Sequence, residues 1–174
     1  MRPPLVAIAL FCESLRQETA GSETIVGVMP DNANVPQLPA AIPRLCIYVR
    51  VQVDPDFDPN PVSLALRTPD DKEIDLGKID AAVFDTSRKQ AKQTGKPYGG
   101  VIIRSELRPF AVLKYGRLEA ILRTSTDKIV CGHITFQPPP STAISVSSPT
   151  ARPRARRSGA SGKKKTKKRA TSRP

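Results

Sequence analysis

Alternation of apolar and polar positions is the strongest pattern in this chain, and it predicts β-strands. In residues 44–53 every second position, from Leu45 to Val53, is aliphatic. A period of two places alternate side chains on opposite faces of a sheet, whereas a helix would scatter these residues around its surface. The same alternation recurs in Val62–Arg67 and in residues 117–123 and 130–136. In the last segment it places Val130, Ile134 and Phe136 on one face and Cys131, His133 and Thr135 on the other.

Four less regular segments complete the predicted strands. They are residues 5–12, which are apolar on both faces, 23–29, 101–104 and 110–113, the last two separated by Pro109. Residues 80–94 are the only predicted helix, of one or two turns, because Gly95 and Pro97 end it. About eight short strands joined by polar turns predict an all-β fold, an antiparallel β-sandwich of immunoglobulin or C2 type. A β-barrel is the main alternative.

The charge distribution divides the chain. Of the 174 residues 28 are basic and 16 acidic, a net charge of +12, but residues 151–174 hold eleven of the basic residues and none of the acidic ones. This segment has no large apolar residue, so we predict a disordered tail. Three prolines at 138–140 predict the end of the sandwich at residue 137, followed by a linker over 138–150. Within the linker, Ile144 and Val146 form a candidate docking strand.

The tail indicates a polyanionic partner. Clustered Lys and Arg bind phosphates by releasing counterions, and without aromatic residues to stack on bases the binding should not depend on sequence. Acidic lipid is an alternative partner. A further alternative is that the tail has no specific partner and only confers solubility. The candidate nucleic-acid-binding residues are Arg152, Arg154, Arg156, Arg157, Lys163, Lys164, Lys165, Lys167, Lys168, Arg169 and Arg173.

No apolar run reaches the ~18–20 residues that a membrane span requires. Residues 5–11 form an apolar run that follows Arg2 and precedes Cys12, which is the outline of a short signal peptide. Phe11, however, stands at the position where signal peptidase requires a small residue. We therefore interpret the run as a buried strand of a cytoplasmic protein. Three widely spaced cysteines favour reduced thiols, although one disulfide would be compatible with export.

Three groups of residues are candidates for chemistry or for ligand binding. Cys131 and His133, on one predicted face, are a candidate nucleophile and base, although a strand histidine without that role is the simpler interpretation. The loop Asp54, Asp56, Asp58, Asn60 has the oxygen spacing of a calcium loop, to which Asp70, Asp71 and Asp75 would add ligands. It departs from the EF-hand pattern, because Pro59 replaces the required glycine and Ala65 the required glutamate. The basic segment Arg88, Lys89, Lys92 and Lys96 is a candidate second polyanion contact.

The segments ALFCESLRQETAGSETIVGVMPD, PRLCIYVRVQV and PFAVLKYGRLEAILRTS resemble a family of uncharacterised bacterial proteins, over roughly residues 4–137. The resemblance implies a β-sandwich and a bacterial or prophage origin, and it assigns no functional residues. No cofactor motif is present. We therefore predict a non-enzymatic interaction module held on nucleic acid by its tail. The alternative is a structural or assembly subunit, phage-like or self-associating, whose tail is incidental. The sandwich itself would bind a protein partner or a second copy of the chain.

Overall fold

The alternating segment at residues 44–53 forms a central strand of the fold. A computed structural model describes residues 3–140, which contain eleven strands and one helix. The predicted all-β fold is confirmed. There are three more strands than the eight expected, namely β3, β4 and β7. The pattern did not reveal them because β3 and β4 are only three residues long and Gly77 interrupts the alternation of β7. The elements are β1 (Leu5–Gln17), β2 (Glu23–Val28), β3 (Asn32–Asn34), β4 (Ala40–Ile42), β5 (Leu45–Val53), β6 (Val62–Arg67), β7 (Glu73–Ile79), α1 (Ala81–Gln93), β8 (Gly99–Leu107), β9 (Phe110–Val112), β10 (Gly116–Arg123) and β11 (Lys128–Gln137).

Two larger sheets supply the core. Sheet A has the strand order β2-β1-β5-β8 and is antiparallel throughout. Sheet B has the order β3-β11-β10-β6-β7, in which only β3 and β11 are parallel. β4 and β9 form a separate antiparallel pair. The five alternating aliphatic residues of β5 are fully buried, as predicted, and pack with the inward side chains of sheet B in one core.

The two sheets approach most closely where β1 passes β11. A Cβ atom added to Gly132 would lie 2.6 Å from the carbonyl oxygen of Ala9, so only glycine fits there. This contact fixes the sandwich at one side, and the opposite side is bounded by β7 and β8.

The predicted face pattern of the last strand is wrong at its start. The pairing of β10 with β11 shifts between Ala120 and Ile121, so that Gly132 and Val130 face successive residues and Cys131 is the extra residue of a bulge. The bulge reverses the alternation before Gly132. Val130 is 49% exposed and Cys131 is buried in the core, the opposite of the prediction.

The helix is longer than the predicted one or two turns. Asp80 caps its start, with Oδ1 accepting a hydrogen bond from the backbone N–H of Ala82 at 2.9 Å. Phe84 and Ala91, two turns apart, are buried and anchor the helix. α1 continues for 13 residues because the cap and these anchors offset the weak apolar pattern of its remaining positions.

β11 ends at Gln137, directly before the three prolines. The rest of the predicted linker, including Ile144 and Val146, and the whole predicted tail lie outside the described residues.

Candidate functional site

All eleven basic residues predicted to bind nucleic acid, Arg152 to Arg173, lie outside the described part of the chain. The structure therefore bears on the candidate groups of the sandwich.

The acidic loop between β5 and β6 uses its side chains to hold its own turns. Asp54 Oδ1 accepts a hydrogen bond from the backbone N–H of Asp56 at 2.8 Å. Asp58 Oδ1 accepts from the backbone and side-chain nitrogens of Asn60, at 3.2 and 2.9 Å. These short-range bonds are typical of Asx turns, and they occupy carboxylate oxygens that a calcium ion would need.

The same loop also pairs with helix α1. Lys92 Nζ lies 2.7 Å from Asp56 Oδ1 and Arg88 Nη1 lies 3.4 Å from Asp58 Oδ1. The lysine lowers the pKa of Asp56, chiefly through its hydrogen bond to that carboxylate. The acidic loop and the basic segment, which are separate candidates in the sequence, are therefore joined in one ion-pair cluster through these four residues.

The other proposed calcium ligands are not brought to this loop. Asp70 pairs with Lys72 at 2.7 Å, and Asp75 Oδ1 accepts from the backbone N–H of Gly77 at 2.9 Å. Hydrogen bonds from Lys72 and Thr68 lower the pKa of Asp70 to about 2. Among residues 3–140 no group of three or more His, Cys, Asp or Glu side chains is placed to hold a metal ion.

Cys131 and His133 do not form a nucleophile and base pair. The bulge turns Cys131 into the core, whereas His133 is exposed on the outer face of sheet B. Burial raises the pKa of Cys131 to about 11, which opposes the thiolate that nucleophilic chemistry requires.

The other two cysteines lie directly opposite each other on β1 and β5. Cys12 and Cys46 are register partners, both buried, and Cys46 Sγ donates a hydrogen bond to the carbonyl of Glu13 at 3.6 Å. Burial, reinforced by the neighbouring Cys46, raises the pKa of Cys12 to about 11. All three cysteines are buried as free thiols in the structure.

The outer face of sheet B carries an ion-pair cluster that sequence patterning did not reveal. Glu119, only 8% exposed, accepts a hydrogen bond from Arg67 Nε at 2.9 Å, and Arg117 Nη1 lies 3.5 Å from its carboxylate. The bond to Arg67 is the main reason that the pKa of Glu119 is lowered. Arg67 and Glu119 are 52 residues apart, and only the pairing of β6 with β10 brings them together.

The outer face of sheet A is partly apolar. Ile8 on β1 is 59% exposed and Ile102 on β8 is 46% exposed, and the register places both beside Arg50 on β5. Leu10 is also exposed on this face. The sequence predicted a central or well-covered strand for residues 5–12. β1 is an interior strand of sheet A, but its outer side is exposed at Ile8 and Leu10.

A cavity of about 300 Å³ opens between the β6–β7 turn and the segment from β8 to β10. Phe110, Val112 and Phe136 form its buried floor, and the rings of Phe110 and Phe136 are 6.4 Å apart. Its remaining lining residues are Thr68, Pro69, Asp70, Lys72, Ile74, Leu107, Pro109, Ala111, Leu113 and Lys114. No local pattern in the sequence indicates this cavity, because its walls come from segments that are distant in the chain.

In residues 3–140 no helix is both long enough and apolar enough to cross a membrane.

Comparison with known proteins gives a family and nothing more specific. The model of a family of unknown function, DUF6941, matches residues 7–101, which run from β1 into β8. The match covers a shorter part of the chain than the resemblance to uncharacterised proteins over residues 4–137. No curated protein and no solved structure matches the chain. Phe136 and all the lining residues of the β8–β10 wall, from Leu107 to Lys114, lie beyond the matched residues.

Proposed function

The chain belongs to DUF6941, a family of unknown function, and we propose that it is a non-enzymatic interaction module held on nucleic acid by its basic tail. The observation that carries the proposal is the separation of charge along the chain. Residues 151–174 have eleven basic residues and no acidic one, whereas residues 1–150 have 17 basic and 16 acidic residues.

The ion pairs of the sandwich support this division of roles. Arg88 and Lys92 are engaged by Asp58 and Asp56, and Arg67 is engaged by Glu119. Basic residues that are already paired contribute little to the attraction of a polyanion, so the tail is the better candidate for phosphate contacts.

The mode of binding follows from the composition of the tail. It has no aromatic residue to stack on bases, so its contacts are electrostatic and sequence-independent. For each phosphate contacted, the slope of log affinity against log salt should steepen by about 0.7 on single strands and 0.9 on duplex DNA.

The absence of enzymatic activity is part of the proposal. It is supported by the separation of Cys131 from His133, and by the engagement of the acidic loop with α1. A cytoplasmic location and a bacterial or prophage origin complete the proposal.

Fluorescence anisotropy of the full-length protein with labelled DNA and RNA across a salt series tests the role of the tail. A variant with all eleven tail Lys and Arg replaced by Gln should lose most of its affinity and most of its salt slope. A second variant replaces Lys78, Lys89 and Lys96, all exposed in the sandwich, by Gln. It should bind like the wild type if the tail, and not the basic segment of the sandwich, makes the contact. Two duplexes of unrelated sequence should bind equally. Equal affinity of the tail variant and the wild type would refute the proposal, and binding only to acidic vesicles would assign the tail to lipid.

Self-association is a second candidate function, favoured by the exposed apolar face of sheet A. Ile8, Leu10 and Ile102 lie on one sheet face, where burial against a second copy would be favourable. Sedimentation velocity should show concentration-dependent association that the double substitution Ile8→Glu, Ile102→Glu abolishes. Val130→Glu, on the outer face of sheet B, is the control and should leave association unchanged. A wild-type monomer at every concentration would contradict this role.

A further inference from the structure

The cavity beside β9 has walls that are fixed in place by the fold. The β6–β7 turn is closed by Thr68, whose backbone N–H donates to the carbonyl of Lys72 at 2.8 Å and whose hydroxyl donates to Asp70 at 2.6 Å. The turn packs against the start of β10, where a Cβ atom on Gly116 would lie 3.0 Å from Pro69. A cavity with preformed walls binds a ligand without first having to order them.

The opposite wall is held as firmly. β9 is paired along its three residues with β4, and Tyr115 donates a hydrogen bond from its hydroxyl to the carbonyl of Val35 at 3.1 Å. These contacts fix the segment that carries Leu113 and Lys114 at the mouth of the cavity. Leu113 is nevertheless 66% exposed, so an apolar side chain remains in water at the entrance.

The lining is chemically divided. Its floor is hydrocarbon, from Phe110, Val112 and Phe136, and its polar side chains are at the rim. This division is typical of sites for small molecules, and the volume of 300 Å³ lies at the small end of the range for such sites, about 300–1,000 Å³.

The charges at the rim select the sign of the ligand. Lys72 is neutralised by Asp70, whereas no carboxylate of residues 3–140 is within ion-pair distance of Lys114. The net charge left at the mouth is therefore that of one ammonium group, which favours an anion.

We propose that this cavity binds a small amphipathic carboxylate, whose apolar body fills the space above the phenylalanine floor and whose carboxylate pairs with Lys114. The ligand class covers short fatty acids and compact aromatic acids. This binding site lies in the sandwich and is independent of the nucleic-acid contact proposed for the tail.

An NMR titration of the isotope-labelled full-length protein tests the proposal, with octanoate as the aliphatic probe and 2-naphthoate as the aromatic one. Saturable shifts should concentrate on the amides of Ala111, Val112, Leu113 and Phe136. The tighter probe identifies which of the two acid types the cavity prefers. Shifts confined to residues 151–174, or no saturable shift with either acid, would overturn the proposal.

Charge variants separate the two parts of the ligand. Lys114→Glu should weaken octanoate binding by at least about fivefold, because a carboxylate would replace the cation beside the ligand anion. It should leave the binding of octanol, the neutral analogue, unchanged, which also shows that the variant is folded. Lys78→Glu, an exposed lysine of β7 away from the cavity, is the matched control.

A second variant tests the apolar part of the site. Leu113→Glu places a charge on an exposed side chain at the mouth and should weaken both octanoate and octanol. Equal octanoate affinity of Lys114→Glu, Leu113→Glu and the Lys78→Glu control would overturn the proposal. The tail is identical in all these proteins, so that result would leave the nucleic-acid proposal untouched.

Discussion

Lys92 Nζ on helix α1 lies 2.7 Å from Asp56 Oδ1 in the loop between β5 and β6. Along the sequence these residues belong to two separate candidates, a basic segment for polyanions and an acidic loop for calcium. In the fold each neutralises the other. Exposed ion pairs of this kind individually contribute little to stability. The neighbouring Arg88, whose side chain is only 18% exposed, is therefore the better residue at which to test the contribution of the cluster.

Arg88→Met should lower the free energy of unfolding by about 1 kcal/mol, because it removes hydrogen bonds while keeping an apolar stem. Arg88 Nε donates to the carbonyl of Pro55 at 3.2 Å, and Nη1 lies within 3.4 Å of Asp58 and Asp85. Urea denaturation measures the change. Lys89→Met, at the adjacent exposed position, should change stability by much less, and equal effects of the two substitutions would contradict the role of Arg88.

Calcium should leave the melting temperature of the protein unchanged. A ligand that binds only the folded state raises the melting temperature, but here Lys92, Arg88 and the loop's own backbone occupy the carboxylates. Thermal melts with calcium and with EDTA provide the measurement. An increase with calcium that EDTA reverses would restore the loop as a metal site.

Sequence patterning predicted what depends on neighbours along the chain. The alternation of β5 gave the correct buried face for Leu45, Ile47, Val49, Val51 and Val53, because a half-buried strand expresses its environment at every second residue. It failed at Cys131, where one extra residue reverses the faces without leaving a distinct signal in composition. The Arg67–Glu119 pair and the cavity depend on which strands become neighbours, and local sequence does not encode that information.

Gly132→Ala should destabilise the protein by about 2–3 kcal/mol, as an overpacked core position does. The new Cβ would lie 2.6 Å from the carbonyl oxygen of Ala9, a backbone atom of sheet A that cannot rotate away. Denaturant titration measures the loss. Gly100→Ala is the matched control, since its Cβ would meet nothing within 4 Å, and a comparable loss there would show that close approach is not the cause.

Glu119→Gln should lower stability near neutral pH by about 1–2 kcal/mol, because it removes a charge-assisted hydrogen bond at a mostly buried position. In the folded protein the pKa of the Glu119 carboxyl group is lowered, and the hydrogen bond from Arg67 is the largest cause. The stabilisation is therefore present above the unfolded-state pKa and is lost as the pH falls through the folded-state value.

The difference in unfolding free energy between wild type and Glu119→Gln should shrink as the pH falls below the ordinary value of 4.5. Urea titrations at a series of pH values measure this dependence. Glu106→Gln, which alters a more exposed carboxylate paired with Arg44, should have a smaller effect. A difference for Glu119→Gln that is constant with pH would rule out the ionised carboxylate as its source.

The thiols of Cys12 and Cys131 should react slowly with an aromatic disulfide reagent while the protein is folded. Both are buried, and each has a pKa raised to about 11, chiefly by that burial. At pH 8 about 0.1% of such a thiol is ionised, against about a quarter of an ordinary one, and only the thiolate reacts. Cys46 is also buried, and its Sγ donates a hydrogen bond to the carbonyl of Glu13 on β1.

The absorbance of the thiol released from the reagent measures the labelling. It should show slow labelling of the native protein and rapid labelling of all three cysteines in concentrated guanidinium chloride. Cys131→Ser, compared with Cys12→Ser, assigns the individual rates. Fast stoichiometric labelling of the native wild type would show that the strands carrying these residues open readily, contrary to the closed core described for sheets A and B.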